Sequence, residues 1–261
     1  MRIQHNIVAL NAHRNSTVNQ ASVSKNMEKL SSGYRINRAG DDAAGLSISE
    51  KMRSQIKGLD QATRNAQDGI SYIQTAEGAL TEVSSMLTRA KELLVQKANG
   101  TYSTADTGNI DAELNSLGTE IKSIIDNTQF NGKNVFTSSV DVAISHDASV
   151  SLTIAGATDV VADLSTAALS STTDVAGVEG MIDTVNTQRA VYGSQQNRLE
   201  HTINNLATTS ENLVASESRI RDVDMAKEMM EMTKNNILSQ AAQAMIAQAN
   251  QQPQSVLQLL R

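Results

Sequence analysis

An apolar residue returns at every seventh position along the first half of the chain. The repeat consists of Met52, Leu59, Ala66, Ile73, Leu80, Leu87 and Leu94. Companion apolar residues lie three or four positions after the first six of these, at Ile56, Ala62, Ile70, Ala76, Val83 and Ala90. A seven-residue apolar period predicts a helix that winds around a partner in a left-handed coiled coil. A helix over residues 43–98 would be roughly 80 Å long at ~1.5 Å per residue, which excludes the interior of a compact globular domain.

The same period returns towards the other end of the chain, at Val178, Val185, Tyr192, Leu199, Leu206, Leu213 and Ile220. The two heptad helices are natural partners, and their predicted buried seam consists of Met52, Leu59, Ile73, Leu80, Leu87, Leu94, Val185, Leu199, Leu206 and Leu213. A shorter amphipathic stretch over residues 110–125 follows the Asn99-Gly100 turn, which predicts an antiparallel helical hairpin. The expected fold is mainly α, with long antiparallel heptad helices in a coiled-coil bundle.

Composition narrows the possible functions. Cys is absent and Pro occurs once, which favours long helices and excludes a disulfide scaffold and thiolate chemistry. The net charge is −6 with no basic block, so the sequence predicts no nucleic-acid partner. No run of 18 apolar residues occurs, and residues 7–10 are the only unbroken apolar run at the start. We therefore expect no membrane insertion and, if the protein leaves the cell, export without a cleavable signal peptide.

Residues 134–188 differ in character from the rest of the chain. This segment contains no Lys or Arg and carries seven carboxylates, at Asp141, Asp147, Asp159, Asp163, Asp174, Glu179 and Asp183. Residues 140–144 and 150–154 alternate apolar and polar side chains, which predicts a small β-hairpin. We expect a small, acidic, solvent-facing insert whose Ser and Thr residues between 137 and 187 are candidates for O-linked glycans.

The two chain ends lack strong repeats of their own. Residues 235–260 carry no charge but hold seven Gln and three Asn, a surface too apolar for water and too polar for lipid. Met225, Met229, Met230 and Met232 crowd the start of this stretch, and adaptable Met surfaces suit successive partners or an ordinary core. We expect both ends to stay unfolded until a neighbouring subunit covers them. The predicted divisions are residues 1–40, 41–136, 137–177, 178–223 and 224–261.

Several long strings resemble the bacterial flagellins. They are LSSGYRINRAGDDAAG at residues 30–45, NAQDGIS at 65–71, QTAEGAL at 74–80, QQNRLEH at 195–201, AQANQQPQ at 247–254 and VLQLLR at 256–261. The resemblance covers residues 1–136 and 178–261, and the short central segment marks a minimal form. It implies a homopolymer outside the cell, in the flagellar filament, that is exported unfolded and polymerises at the tip for motility. Implied partners are an export chaperone, the filament cap, the hook–filament junction proteins and a host innate immune receptor.

The resemblance also implies a surface recognised by the Toll-like receptor for flagellin. The residues that correspond are Arg89, Leu93, Gln96 and, from the next helix, Glu113. Because Arg89 and Leu93 lie four residues apart and Gln96 three further on, we expect them to share an exposed face beside the buried seam. The alternative interpretation is that this face packs one subunit against another in the filament.

Charged residues occur in a matching pattern near the two predicted arm boundaries. They are Arg35, Arg38, Asp41 and Asp42 on one side and Arg219, Arg221, Asp222 and Asp224 on the other. We expect these two groups to meet where each terminal arm joins the helical body; solvated hinge charges are the alternative.

Enzyme motifs of the HExxH, GxSxG, GxxxxGK and GxGxxG types are absent, and His5, His13, His146 and His201 lack metal-ligand spacing. The sequence therefore predicts neither an enzyme nor a cofactor. Two alternatives to a filament subunit stay open. One is a hook–filament junction protein with related ends; the other is a flagellin or adhesin whose insert carries an enzymatic activity.

Overall fold

A computed structural model describes residues 6–166 and 174–259. Its helices are α1 (Ile7–Ser32), α2 (Ala43–Lys97), α3 (Thr104–Asn127), α4 (Thr158–Thr166), α5 (Val175–Arg221) and α6 (Met225–Leu259). Its strands are β1 (Gln129–Phe130), β2 (Lys133–Asn134), β3 (Val140–Ala143) and β4 (Ser151–Ile154). The predicted mainly α fold with a small hairpin is confirmed. His5 and the glycan candidates at residues 170–173 lie outside the described residues.

The first compact unit, residues 55–212, is built on the seam between α2 and α5. The predicted seam residues of this unit are all buried, namely Leu59, Ile73, Leu80, Leu87, Leu94, Val185, Leu199 and Leu206. Ion pairs from Lys91 to Glu179 (2.8 Å) and from Arg189 to Glu77 (3.8 Å) flank the seam. Because residue numbers rise along α2 as their partners' numbers fall along α5, the two helices run antiparallel. The expected pairing of the two heptad helices is therefore confirmed.

Helix α3 folds back on α2 and widens this core. The helix begins with a capping box, in which Ser103 and Asp106 each bond the other's backbone N–H. The Lys97 ammonium lies 2.6 Å from the Asp111 carboxylate, close to the turn that joins the two helices. The buried face of α3 is formed by Ile110, Leu114, Ile121 and Ile125. The hairpin predicted from their spacing is therefore present.

The central insert is less exposed than we expected. Strands β3 and β4 pair antiparallel, with Val142 opposite Leu152 and Val140 opposite Ile154, as the alternation predicts. The expectation of a solvent-facing insert is nevertheless wrong in part, because Val142, Leu152 and Ile154 are buried in the main core. An alternating strand presents one apolar face, and here that face packs on the helices while the acidic face stays in water.

Two small elements of the insert region were not predicted. Helix α4 buries Val160 and Leu164 in the main core. Strands β1 and β2, of two residues each, form a second hairpin whose turn consists of Asn131 and Gly132. The φ angles of these two turn residues are +49° and +76°. Two consecutive positive φ angles are characteristic of a tight hairpin turn, for which Asn-Gly is the favoured pair.

The second compact unit, residues 1–54 and 213–261, contains α1 and α6 with the adjoining turns of α2 and α5. Its two seam residues, Met52 and Leu213, are half-buried. Helices α1 and α6 pack against each other, a pairing that the sequence did not predict. We had expected both ends to lack a partner within the chain, and each is the other's partner. Whether the ends are ordered in the dilute monomer stays a prediction.

Leu80 provides a test of the seam. The side chain of Leu80 is fully buried, so we expect Leu80→Ala to lower the free energy of unfolding by about 2–5 kcal/mol through lost burial and a residual cavity. The matched control is Val95→Ala, because Val95 lies on the same helix but is exposed; we expect a change below about 0.5 kcal/mol. Urea denaturation measures both, and equal effects would contradict the assignment of the seam.

The seam also predicts a pH dependence, because Tyr192 is fully buried in it. Burial raises the pKa of Tyr192 to about 12, and the Gln188 side chain reduces that shift. The folded state holds the phenolic proton more tightly than the unfolded chain. This contribution is therefore present below about pH 10 and is lost as the pH rises through 12. Between these values, we expect the free energy of unfolding to fall on the order of 2 kcal/mol further for the native chain than for Tyr192→Phe.

Denaturation curves at several alkaline pH values measure this difference. Because both chains keep Tyr72 and all lysines, the comparison isolates Tyr192. Superimposable pH profiles for the two chains would show that Tyr192 is not held neutral by the fold.

Candidate functional site

Helices α1 and α6 form an antiparallel pair, which we call the arm pair. The Asn6 amide donates to the Ala249 carbonyl (2.7 Å) at one end, and Lys29 lies 3.7 Å from Glu228 at the other. Between them, the Ser239 hydroxyl donates to the Gln20 side chain at 3.4 Å. Polar contacts therefore run along the whole length of the arm pair, beside the buried Val23 and Ala249.

Asn26 is the central polar residue of this interface and is buried. With its amide orientation assigned from the surrounding hydrogen bonds, its nitrogen donates to Glu228 (3.1 Å) and to the Ser22 carbonyl (3.0 Å). Its oxygen accepts from the Met232 backbone N–H at 3.2 Å. Since a buried amide and carboxylate are costly without partners, these bonds fix the pairing of the two helices more than they stabilise it.

Most large apolar side chains of the arm pair face outwards. Leu10 is 70% exposed and Met230 is 67% exposed. The surface they belong to, which we call the outer arm surface, also contains Ile7, Val8, Val18, Met27, Met225, Met229, Ile237, Leu238 and Met245. Of the four clustered methionines, only Met232 is partly covered. A protein that exposes this many large apolar side chains on two helices presents an interaction surface.

The backbone connects the segments at the two predicted arm boundaries. The Arg35 N–H donates to the Arg221 carbonyl (2.7 Å), and the Val223 N–H donates to the Gly33 carbonyl (3.0 Å). Gly33 ends α1 in the left-handed region, with φ of +75°, and this turns the chain towards α5. The two predicted groups therefore do meet, through main-chain bonds.

Arg221 is largely enclosed, with 12% of its side chain exposed. One guanidinium nitrogen lies 2.7 Å from the Glu50 carboxylate and 3.4 Å from the Ser49 hydroxyl. The guanidinium also lies over the Tyr34 ring, 4.8 Å from its centroid. Arg221 therefore joins the end of α5 to the start of α2 and to the segment after α1.

Arg35 also joins the two segments, because its guanidinium donates to the Ile220 carbonyl. The other boundary charges make their contacts within their own segments. Lys25 pairs with Asp41 at 2.8 Å, and this bond, with backbone N–H groups of Arg38 and Asn37, lowers the pKa of Asp41 to about 2. Arg38 pairs with Glu28 at 2.9 Å.

The remaining four of the eight boundary charges make short-range contacts. Asp42 and Asp224 accept from backbone N–H groups at the starts of α2 and α6, while Arg219 and Asp222 bond Ser216 and Ser218. Within residues 6–166 and 174–259, no ion pair joins two of the eight predicted charges. Sequence reasoning missed Glu50, Glu28 and Lys25, because a pairing partner in another element has no signature in the local pattern.

The predicted receptor surface lies on α2 and α3. The Arg89 guanidinium donates to Glu113 at 3.0 Å and to Glu92 at 3.1 Å, and these bonds raise the pKa of Arg89. The Gln96 amide donates to the Tyr102 hydroxyl at 3.2 Å. Arg89, Gln96 and Glu113 are exposed, as expected.

The expectation for Leu93 is wrong. Its side chain is only 2% exposed and belongs to the main core, together with Leu94. The physical reason is that two helices, α5 and α3, pack on neighbouring faces of α2, so the buried stripe is wider than a two-helix seam. The exposed apolar residue of this segment is Val95.

Two other kinds of site are absent from the described part of the chain. Among those residues, no cluster of three His, Cys, Asp or Glu side chains could hold a metal ion. No helix there is both apolar enough and long enough to span a bilayer.

Comparison with known proteins identifies the family. The family model for the bacterial flagellin N-terminal helical region matches residues 3–141, and the model for the C-terminal helical region matches residues 175–260. The chain belongs to the bacterial flagellin family. The resemblance seen in the sequence motifs is thereby confirmed.

Full-length relatives support the assignment. This flagellin is 54% identical to a flagellin of Halalkalibacterium halodurans and 52% identical to a flagellin of Bacillus subtilis, in each case over 100% of both chains. It is 46% identical to the flagellar filament 33 kDa core protein of Treponema phagedenis, again over 100% of both chains. Flagellins are a structural protein family.

Arg221 offers a test of the boundary contacts. We expect Arg221→Ala to speed amide hydrogen exchange at Arg35 and Val223 about tenfold or more, because the charged hydrogen bond and the ring contact together contribute about 1–3 kcal/mol. The matched control is Arg219→Ala, since Arg219 bonds the nearby Ser216. Hydrogen exchange followed by mass spectrometry or NMR measures both variants. Unchanged protection in Arg221→Ala would show that Arg221 does not hold these segments together.

Proposed function

We propose that this flagellin is the structural subunit of a bacterial flagellar filament and assembles with copies of itself. The observation that carries the proposal is the number of large apolar side chains that the arm pair exposes. Its buried inner residues include Asn26, Glu228 and Ser239 beside Val23 and Ala249, whereas Leu10 and Met230 face outwards. Covering one such side chain stabilises an assembly by about 1.5–3 kcal/mol, so a surface of eleven large apolar residues favours burial against neighbouring subunits.

The type of polymer follows from the type of contact. An interface that joins two different surfaces of identical subunits, and does not close into a ring, generates an open helical filament. The name of the Treponema phagedenis relative, a flagellar filament core protein, agrees with this proposal. Motility is the role that such a filament serves.

The proposal extends to the route of assembly. The subunit leaves the cell unfolded and polymerises at the filament tip beneath the cap. The Met-rich start of α6, with Met225, Met229 and Met230 exposed, suits an export chaperone first and neighbouring subunits afterwards. The hook–filament junction proteins contact the first subunits of the polymer. A chain without Cys passes between redox compartments with no risk of mispaired disulfides.

A charge placed on the outer arm surface tests the proposal. We expect Met230→Glu to leave the monomer folded, because the native side chain is largely exposed, and to abolish seeded filament growth, because a charge would be buried in the assembly. The matched control is Val150→Glu, which charges an exposed residue on the insert. Electron microscopy of seeded solutions measures growth, and normal filaments from Met230→Glu would contradict the proposal.

Deleting residues 224–261 gives a second test of assembly. We expect a soluble monomer that keeps its α2–α5 seam and does not polymerise, because half of the arm pair is removed. The far-ultraviolet circular dichroism of the truncated chain controls for folding. Growth by the truncated chain would contradict the proposal. Failure of the intact chain to form long filaments would instead favour the junction-protein alternative.

We further propose that the monomer is recognised by the flagellin-sensing Toll-like receptor through α2 and α3. The support is the exposed group formed by Arg89, Glu113 and Gln96. The carboxylates of Glu113 and Glu92 hold the Arg89 guanidinium in a fixed position. Leu93 contributes from the core, by positioning the helix, and Val95 supplies the exposed apolar contact. A receptor that uses a face also packed in the polymer would respond to monomers only.

Arg89→Ala tests this recognition. We expect purified Arg89→Ala monomer to lose about tenfold or more in signalling potency, because a positioned arginine is typical of an interface hot spot. The matched control is Arg64→Ala, an exposed arginine elsewhere on α2 that bonds Gln61. A receptor reporter-cell assay measures potency. Equal potency of the two variants would remove Arg89 from the proposed surface.

A further inference from the structure

An open groove of about 570 Å³ lies beside strand β3, a volume within the range of ligand pockets. Its floor includes Gly69 and Tyr72 of α2 and Phe130 of β1, with the two aromatic rings packed edge to face at 5.8 Å. Residues 140–143, which are the whole of β3, form one wall. We call this feature the β3 groove.

The unpaired edge of β3 faces this groove. The Ile144 N–H donates to the Val150 carbonyl, so Val142 and Val140 also exchange backbone bonds with β4 in the alternating antiparallel pattern. The N–H and C=O groups of Asp141 and Ala143 therefore point away from β4. The Ala143 carbonyl confirms this direction, because it accepts from the side chain of Asn65, a lining residue of the groove, at 3.2 Å.

Three backbone groups along this edge are consequently available to a further strand. They are the N–H and C=O of Asp141 and the N–H of Ala143. Among the described residues, none of these three groups takes part in a hydrogen bond outside its own strand pair. A free strand edge beside an apolar groove is the geometry with which sheets bind extended peptides by adding a strand.

The side-chain pattern of a bound peptide follows from the pattern of β3. A peptide residue opposite Asp141 would share its exposed face, where a basic side chain pairs best with the carboxylate. The peptide residues on either side would share the face of Val140 and Val142, which packs towards the helices. Asp68, also exposed at the groove, adds a second negative charge, against one positive charge from Lys133.

We propose that the β3 groove binds an extended peptide segment of another protein, with the pattern apolar–basic–apolar, as an added strand on β3. A second copy of β3 is a poor occupant, because pairing two such edges would bring two Asp141 carboxylates together in a segment with no Lys or Arg between residues 134 and 188. The inference does not depend on filament assembly, because every contact that carries it lies within residues 55–212.

Model peptides on the full-length monomer test the inference. The probe is a blocked heptapeptide that alternates valine and lysine, and the readouts are its affinity and the backbone amide shifts of the protein. We expect saturable shifts at Asp141 and Ala143. The same peptide with its lysines replaced by glutamate should bind about tenfold more weakly or worse, and so should a version N-methylated at its central residues, which cannot complete the ladder.

Variants of the protein complete the test. We expect Asp141→Lys to reverse the preference, so that the glutamate peptide binds better than the lysine peptide. Asp141→Asn keeps a side-chain oxygen for the Thr153 hydroxyl and should weaken the lysine peptide alone. Glu120→Lys, a charge reversal on the exposed side of α3, is the matched control and should change neither affinity.

Four results would overturn the inference. They are shifts confined to residues outside the groove, equal affinity for the lysine and glutamate peptides, unimpaired binding of the N-methylated peptide, and concentration-dependent shifts at Asp141 and Ala143 in the absence of peptide. The last result would identify a second copy of the chain as the occupant.

Discussion

The buried seam between α2 and α5 is the contact on which the structure of residues 55–212 depends. Its seven-residue period obliges each helix to keep one face against the other, and this fixed face determines where everything else can pack. Helix α3 occupies the neighbouring face of α2, and the insert hairpin closes over the same core at Gly69, where an added Cβ would come within 3.0 Å of Val142. The Arg89 group and the β3 groove are both positioned on this base.

The arm pair is packed differently. Here the polar residues Asn26 and Glu228 are buried between the helices beside Val23 and Ala249, and most of the large apolar residues lie outside. Such a pair gains little from burying its inner contacts, because the desolvation of polar groups offsets most of their attraction. In the proposed filament, neighbouring subunits that cover Leu10, Met230 and the rest of the outer arm surface supply this stabilisation. This arrangement suits a structural protein that polymerises, because the apolar surface that the monomer exposes is covered in the polymer.

The eight predicted boundary charges show which features of the functional surfaces could be predicted from the sequence. Their two segments do meet, and Arg221 is central to the meeting, but its partners are Glu50 and the Tyr34 ring. Likewise, spacing placed Arg89 and Gln96 on the surface but misplaced Leu93, while Glu113 came from the resemblance. In both cases the missing information was which other element packs alongside. Periodicity reports one face of one helix, whereas partner choice depends on residues distant in the chain.

The sequence by itself determined the long helices, their antiparallel seam, the hairpin over residues 140–154 and the family, because apolar period, turn residues and motif strings are local properties of the chain. Tertiary structure decided the burial of Leu93, the pairing of α1 with α6, the enclosure of Arg221 and the open edge of β3. Each of these features depends on how elements that are distant in the chain pack together. Hydrogen bonds and packing volume select that arrangement, and no local sequence pattern encodes them.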